Sequence, residues 1–229
     1  MVQIIKAHTV SISVTILRRE QNILYIQYIF HKKRIQKGGK MNNKTKKLVY
    51  TAMFAVINYV AFTYGKITIP VTAGTSTAIH IANAIVVLSA WFLGPVYGGL
   101  AGAIGLSIAD VLDPRYITSA PKTFLLKFMI GLIAGLVANQ LKLKEQYERR
   151  DIINITTVSA FLALAFNVIA DPVVGYFYRK YLLGIPQDAA KIIATWVAGT
   201  TAINAIICVF VSVILYLALY KSFLPRIPE

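Results

Sequence analysis

HIANAIVVLSAWFLGPVYGGLAGAIGLSIADVLDP, from His80 to Pro114, holds two apolar runs separated by nothing longer than Gly94-Pro95. So short a break leaves no room for a loop domain. Proline suits the first turn of a helix, where its missing N–H has no intrahelical partner to lose. The stretch therefore reads as a tight helical hairpin, with His80 and Asn83 opening its first helix and Ser107 and Asp110 closing its second. Gly94, Gly98 and Gly102 recur every fourth residue, and Gly131 and Gly135 repeat the pattern; such small-residue seams let helices approach closely in lipid.

The rest of the chain agrees with a lipid solvent. Of 229 residues, 57% are hydrophobic and only 14% charged, and the mean hydropathy is +0.63. Apolar segments near 48–64, 78–93, 95–112, 123–141, 152–170 and 190–220 each come close to the roughly 20 residues needed to cross hydrocarbon. The expectation is an all-α integral membrane protein with six transmembrane helices in one bundle, occupying residues 41–229.

A net charge of +15 raises the question of nucleic acid, but the basic residues lie at the ends of apolar runs and form no aromatic-interleaved patch. Membrane topology explains them better. Lys44, Lys46 and Lys47 precede the first helix, Lys142, Lys144, Arg149 and Arg150 separate the fourth and fifth, and Lys221 and Arg226 follow the sixth. These nine face seven on the other side, Lys66, Arg115, Lys122, Lys127, Arg179, Lys180 and Lys191, so the positive-inside rule puts both termini in the cytoplasm. Residues 1–40 mix basic clusters with short β-prone runs and do not resemble a domain. The purine-rich codons available to Lys37-Gly38-Gly39 suggest a start at Met41, with a basic membrane-surface tail as the rival reading.

Polar residues within the helices are uneven in depth. His80, Asn83, Ser107, Asp110, Thr123, Lys127, Asn167, Asp171, Trp196, Thr200 and Asn204 all fall in the outer halves, at spacings of three or four residues within each helix. That spacing places each set on one face, so five helices can direct polar groups into a cavity reached from outside. The inner halves, such as FMIGLIAGLVA and AIICVFVSVILYLALY, offer almost no polar lining. Ionisable groups at membrane depth cost about 2.5–3.5 kcal/mol on insertion scales, and binding would account for Asp110, Lys127 and Asp171. The plainer alternative is that the aspartates end helices at the interface and Lys127 snorkels to headgroups. Trp196, Tyr116, Tyr176 and Tyr178 fit an interfacial belt as readily as a stacking platform. The first outer loop, GKITIPVTAGTSTAIH, is polar, β-prone and suited to gate such a cavity. The loop from Asp171 to Lys191, with Pro172, Gly175, Gly184 and Pro186, would form the opposite wall.

Catalytic signatures are missing. GxxxxGK[ST], HExxH and GxSxG do not occur, and no His/Cys spacing suits a metal. Cys208 lies alone in an apolar run and reads as a packing residue. Neither an enzyme nor a cofactor is expected.

Three stretches resemble the substrate-binding S components of energy-coupling factor (ECF) transporters: KKLVYTAMFAVINYVAF, the hairpin from His80 to Pro114, and PKTFLLKFMIGLIAG with its internal lysine. The resemblance covers residues 44 to about 220. It implies a six-helix bundle in a bacterial plasma membrane that captures a vitamin or precursor from outside and delivers it with a transmembrane scaffold subunit and two cytoplasmic ATPases. Pyrimidine or thiamine-like, pyridoxine-like and flavin-like ligands stay open, cobalamin included. It also implies a scaffold-docking face on the first helix, carried here by Thr51, Ala52 and Ala55. The competing classes are a self-sufficient secondary transporter, which would want a repeat and midplane ion sites, and a membrane enzyme, which would want acidic or histidine motifs on the cytoplasmic side.

Overall fold

A computed structural model describes residues 42–72, 75–146 and 148–223. The expectations for residues 1–40 and for Arg226 fall outside the described residues. The chain forms α1 (Asn43–Tyr64), a hairpin of β1 (Lys66–Thr72) and β2 (Thr75–His80), then α2 (Ala82–Leu93), α3 (Pro95–Val111), α4 (Ala120–Gln140), α5 (Arg149–Phe177) and α6 (Gln187–Phe223). Three stretches are long and apolar enough to cross a membrane: Ile117–Gln140, Arg149–Leu182 and Gln187–Phe223. The architecture is that of an all-α integral membrane protein, with the two strands as its one departure among the described residues.

The short helix α2 occupies the middle. Every residue from Ala82 to Leu93 is buried, and α1, α3, α4 and α6 pack around it. A helix that is apolar on all sides must be enclosed by protein or lipid; here the enclosure is protein, and that is why this segment can be so short. Gly94 turns the chain into α3 with φ +88°, a region that L side chains seldom adopt, and Pro95 begins the next helix. The glycine seam works at van der Waals limits: a Cβ on Gly131 of α4 would stand 2.4 Å from the Gly99 Cα of α3.

The end of the bundle remote from the hairpin is closed by aromatic packing. Trp91, Phe92 and Tyr216 are buried, with ring centroids 5.2–5.4 Å apart along the two Tyr216 contacts. Buried polar groups at this end find local partners. The Trp91 indole donates to the Ser159 hydroxyl at 2.9 Å, and Ser159 donates to the Ala134 carbonyl at 2.7 Å, tying α2, α5 and α4 together. Satisfied groups of this kind add stability without forming a path.

Three sequence expectations are corrected. The second helix begins at Ala82, and His80 ends a strand. Thr75, Thr77 and Ile79 alternate with Ser76, Ala78 and His80, a period of two that favours a strand once β1 supplies an antiparallel partner. Helix α5 continues through Pro172 to Phe177 and then passes into a π-type turn, Tyr178–Leu182. One proline costs a helix one hydrogen bond and a local clash, and neighbouring helices make this tolerable in a membrane bundle. Finally, Thr51 and Ala55 point into the bundle, while Ala52 is exposed. The Ala55 carbonyl lies 2.2 Å from where a Cβ on Gly105 would be, so Ala55 serves the α1–α3 contact, and of the three residues Ala52 is the exposed one.

Candidate solute-binding site

The hairpin pairs Lys66 with His80 and Ile69 with Thr77 and lies across one end of the bundle. Side chains on two sides fasten it. From α6, Asn204 accepts the His80 N–H through Oδ1 at 3.0 Å and donates through Nδ2 to the Ala78 carbonyl at 2.9 Å. Thr200 meets Thr77 hydroxyl to hydroxyl. From the α3–α4 connection, the Tyr116 phenol donates to the Thr77 carbonyl at 3.2 Å. Lys66 pairs with Asp113 at 2.8 Å while its ammonium sits 4.5 Å from the Phe62 ring centre and 4.6 Å from that of Tyr116. Arg115 also bonds Asp113, and this contact, with Lys66 behind it, holds the Asp113 carboxyl well below the usual carboxylate range.

Beneath the hairpin is a cavity. Of the residues predicted from the sequence, His80, Asp110, Lys127, Asp171, Thr200 and Asn204 line it. They come from five separate elements, β2, α3, α4, α5 and α6. Thr123 and Tyr116, also singled out in the sequence, line it too, while Ser107 does not; Lys122, Thr201 and Arg179 join them. Asn83 and Asn167 are buried, each with an Oδ1 that finds no partner among the described residues, but they are not part of this lining. Trp196 is displaced altogether. It is 51% exposed and borders an apolar groove with Ile69 and Ile79 on the outside of the hairpin, an interfacial position.

Two polar links and one ring contact organise the lining. Lys122 pairs with Asp171 at 2.5 Å, linking α4 to α5. Thr123 donates to Asp110 at 2.5 Å, linking α4 to α3. His80 packs edge-on against Phe62 with centroids 4.9 Å apart, and its Nδ1 has no partner among the described residues. The sequence reading treated Lys122 and Arg179 as ordinary basic residues of the outer side, whereas both are buried. A signal existed for Arg179. Asp171, Gly175 and Arg179 follow at intervals of four, one helical face with a side-chain-free gap between two opposite charges. For Lys122, next to Pro121 at a helix start, no such signal exists. Asn58 on α1 was also missed; it is fully buried, with Nδ2 donating to the Phe54 carbonyl and Oδ1 unpartnered.

A helical bundle embedded in lipid, with a polar cavity closed by a tethered hairpin at one end and aromatic packing at the other, is the architecture of a membrane solute-binding protein. Residues 42–221 match the sequence profile of the ECF-type riboflavin transporter S component, and the chain belongs to that family. Two solved structures share the fold. The S component of a bacterial ECF transporter is 19% identical, with a TM-score of 0.53 over 78% of this chain and 97% of that one. The biotin S component of an ECF-type ABC transporter is likewise 19% identical at a TM-score of 0.53, over 77% of this chain and 93% of the other.

Proposed function

We propose that this protein captures a vitamin at the outer face of a bacterial plasma membrane and delivers it inward as the substrate-binding component of an ECF importer, with no catalytic step of its own. The observation that carries the reading is the pocket beneath the hairpin, where polar side chains of β2, α3, α4, α5 and α6 meet, with the aromatic packing of Trp91, Phe92 and Tyr216 between the helices farther along the bundle. A carrier that hands over its solute by reorienting needs one such cavity; a channel needs a polar path from side to side. The basic clusters at Lys44–Lys47 and Lys142–Arg150 set the hairpin end outside.

Transport requires an energy source, and the sequence has no nucleotide-binding loop. The resemblance implies a membrane scaffold subunit and two ATPases. A flavin ring system is the first ligand to test, because riboflavin is the vitamin named for the family, and Phe62 and Tyr116 supply aromatic surface beside the polar groups. The exposed apolar face of α1, with Ala52 among Met53, Val56 and Val60, takes over the docking role first assigned to Thr51, Ala52 and Ala55.

The test is uptake in cells that lack other S components. Solute accumulation that requires this chain, the scaffold and ATP hydrolysis together is the expected result. Undiminished uptake by this chain alone would reassign it to the secondary transporters.

A further inference from the structure

The fixed charges lining the cavity do not cancel. Lys122 is matched to Asp171, and Asp110 accepts from the neutral Thr123 hydroxyl. Lys127 and Arg179 are left over. Lys127 is 7% exposed and makes no ion pair with any described residue. Arg179 is 6% exposed, and its Nη1 is buried without a hydrogen-bond partner among the described residues. Among the described residues, three cations thus face two carboxylates in one cavity.

Arg179 also lies close to the cation of the Lys122–Asp171 pair. At Gly175, the position a Cβ would occupy is 2.8 Å from Arg179 Nη1 and 3.5 Å from Lys122 Nζ. Two like charges converge on one point of α5, and the absence of a side chain there leaves them room. Burying a cation without a counter-ion is strongly unfavourable, and within a membrane protein such a group marks a functional site by default. Asp171 and Asp110 together cannot neutralise the set, since two carboxylates serve Lys122, Lys127 and Arg179.

We propose that the solute this cavity captures carries a negatively charged group, a carboxylate or a phosphate, held by Arg179 and Lys127. The inference rests on the importer reading above and narrows its substrate class. A guanidinium presents donors in a planar fork that fits two oxygens of one acid group, while the Lys127 ammonium adds a second, undirected charge. Binding completes the charge balance, so the acid group decides which solutes stay and which leave.

Native mass spectrometry of the full chain, purified in mild detergent, tests this by the mass and charge of the solute it releases. An organic acid or phosphate is expected, with occupancy lowered at least tenfold in Arg179→Gln and partly restored in Arg179→Lys. A retained uncharged vitamin would overturn the inference while leaving the importer reading intact. If nothing is retained, the wild-type protein is titrated with riboflavin and with riboflavin 5′-phosphate. A preference of tenfold or more for the phosphate supports the inference, and equal or weaker binding of the phosphate overturns it. Binding of neither probe overturns the inference, and the importer reading is then decided by the uptake experiment.

Discussion

The hydroxyls of Thr77 and Thr200 lie 2.7 Å apart, joining strand β2 to α6 one helical turn from Asn204, which holds the same strand by two further hydrogen bonds. The hairpin is thus fixed to α6 through side chains that also line the cavity. Releasing it from Thr200 and Asn204 would therefore disturb the lining of the cavity.

Asn204 tests that coupling. Asn204→Asp keeps the acceptor for the His80 N–H but replaces the donor to Ala78 with an oxygen, setting a carboxylate against a carbonyl. Losing one bond and leaving a buried group unpaired costs about 1–3 kcal/mol, which predicts faster hydrogen exchange across residues 76–80 and roughly tenfold faster release of bound solute. Thr200→Val, which removes one hydroxyl, should do the same more weakly. Unchanged exchange in Asn204→Asp would mean that the hairpin is held elsewhere.

On the other flank, Asp113 gives the hairpin a defined pH response. Its folded pKa is depressed by Arg115 and Lys66, so its contribution is complete above the ordinary aspartate value of about 3.9 and is lost only as pH falls through the lower folded value. Amide protection of β1 should therefore stay level from neutral pH down to about 5 as far as this carboxylate is concerned. Asp113→Asn should reduce protection throughout this range, because the buried Lys66 ammonium loses its counter-ion. Equal protection in the variant and the wild type would remove Asp113 from the latch.

Much of this was legible before any coordinates. Six apolar runs and the Gly94-Pro95 break specify the helices, since hydrocarbon imposes a length and a backbone conformation that few segments meet. A shared depth in the sequence brings His80, Asp110, Lys127, Asp171, Thr200 and Asn204 to one cavity, whereas spacing alone did not: Thr123 with Lys127 and Thr200 with Asn204 line it together, but Asn83, Ser107 and Asn167 do not. Facing could not be read so well. Thr51 and Ala55 form a small-residue face whether its partner is α3 or another protein, and Trp196 has the same spacing to Thr200 whether its ring turns to the cavity or to lipid. The strand at Thr75–His80 depended on a pairing with β1 that only the folded chain provides.

The α1 surface separates folding from assembly. Ala55 is buried at its close contact with Gly105, so Ala55→Trp should overpack the bundle and cost at least the 1–3 kcal/mol typical of such insertions. Ala52→Trp places the same bulk on the exposed side and should leave folding and solute binding intact while reducing co-purification of the scaffold. The check is size-exclusion behaviour and thermal stability for both, with scaffold recovery for the second. Full scaffold recovery with Ala52→Trp would move the docking surface off α1.

The seam between α3 and α4 sets how far the cavity floor can adjust. A methyl on Gly131 would meet the backbone of Gly99 at 2.4 Å and the carbonyl carbon of Gly98 at 3.2 Å. Neither neighbour has a flexible side chain to yield, so Gly131→Ala must push the two helices apart, carrying Lys127 and Thr123 of α4 away from Asp110 of α3. The expected loss is about 1–3 kcal/mol of stability, with weaker solute binding beyond what the lowered folded fraction explains. Gly199 on α6 provides the contrast, because a methyl there meets nothing within 4 Å. Gly199→Ala should gain up to about 1 kcal/mol from helix propensity and leave binding unchanged. Thermal unfolding in detergent, read beside solute affinity, distinguishes the two. Equal tolerance of both substitutions would show that the α3–α4 distance does not hold the cavity's charged groups in place.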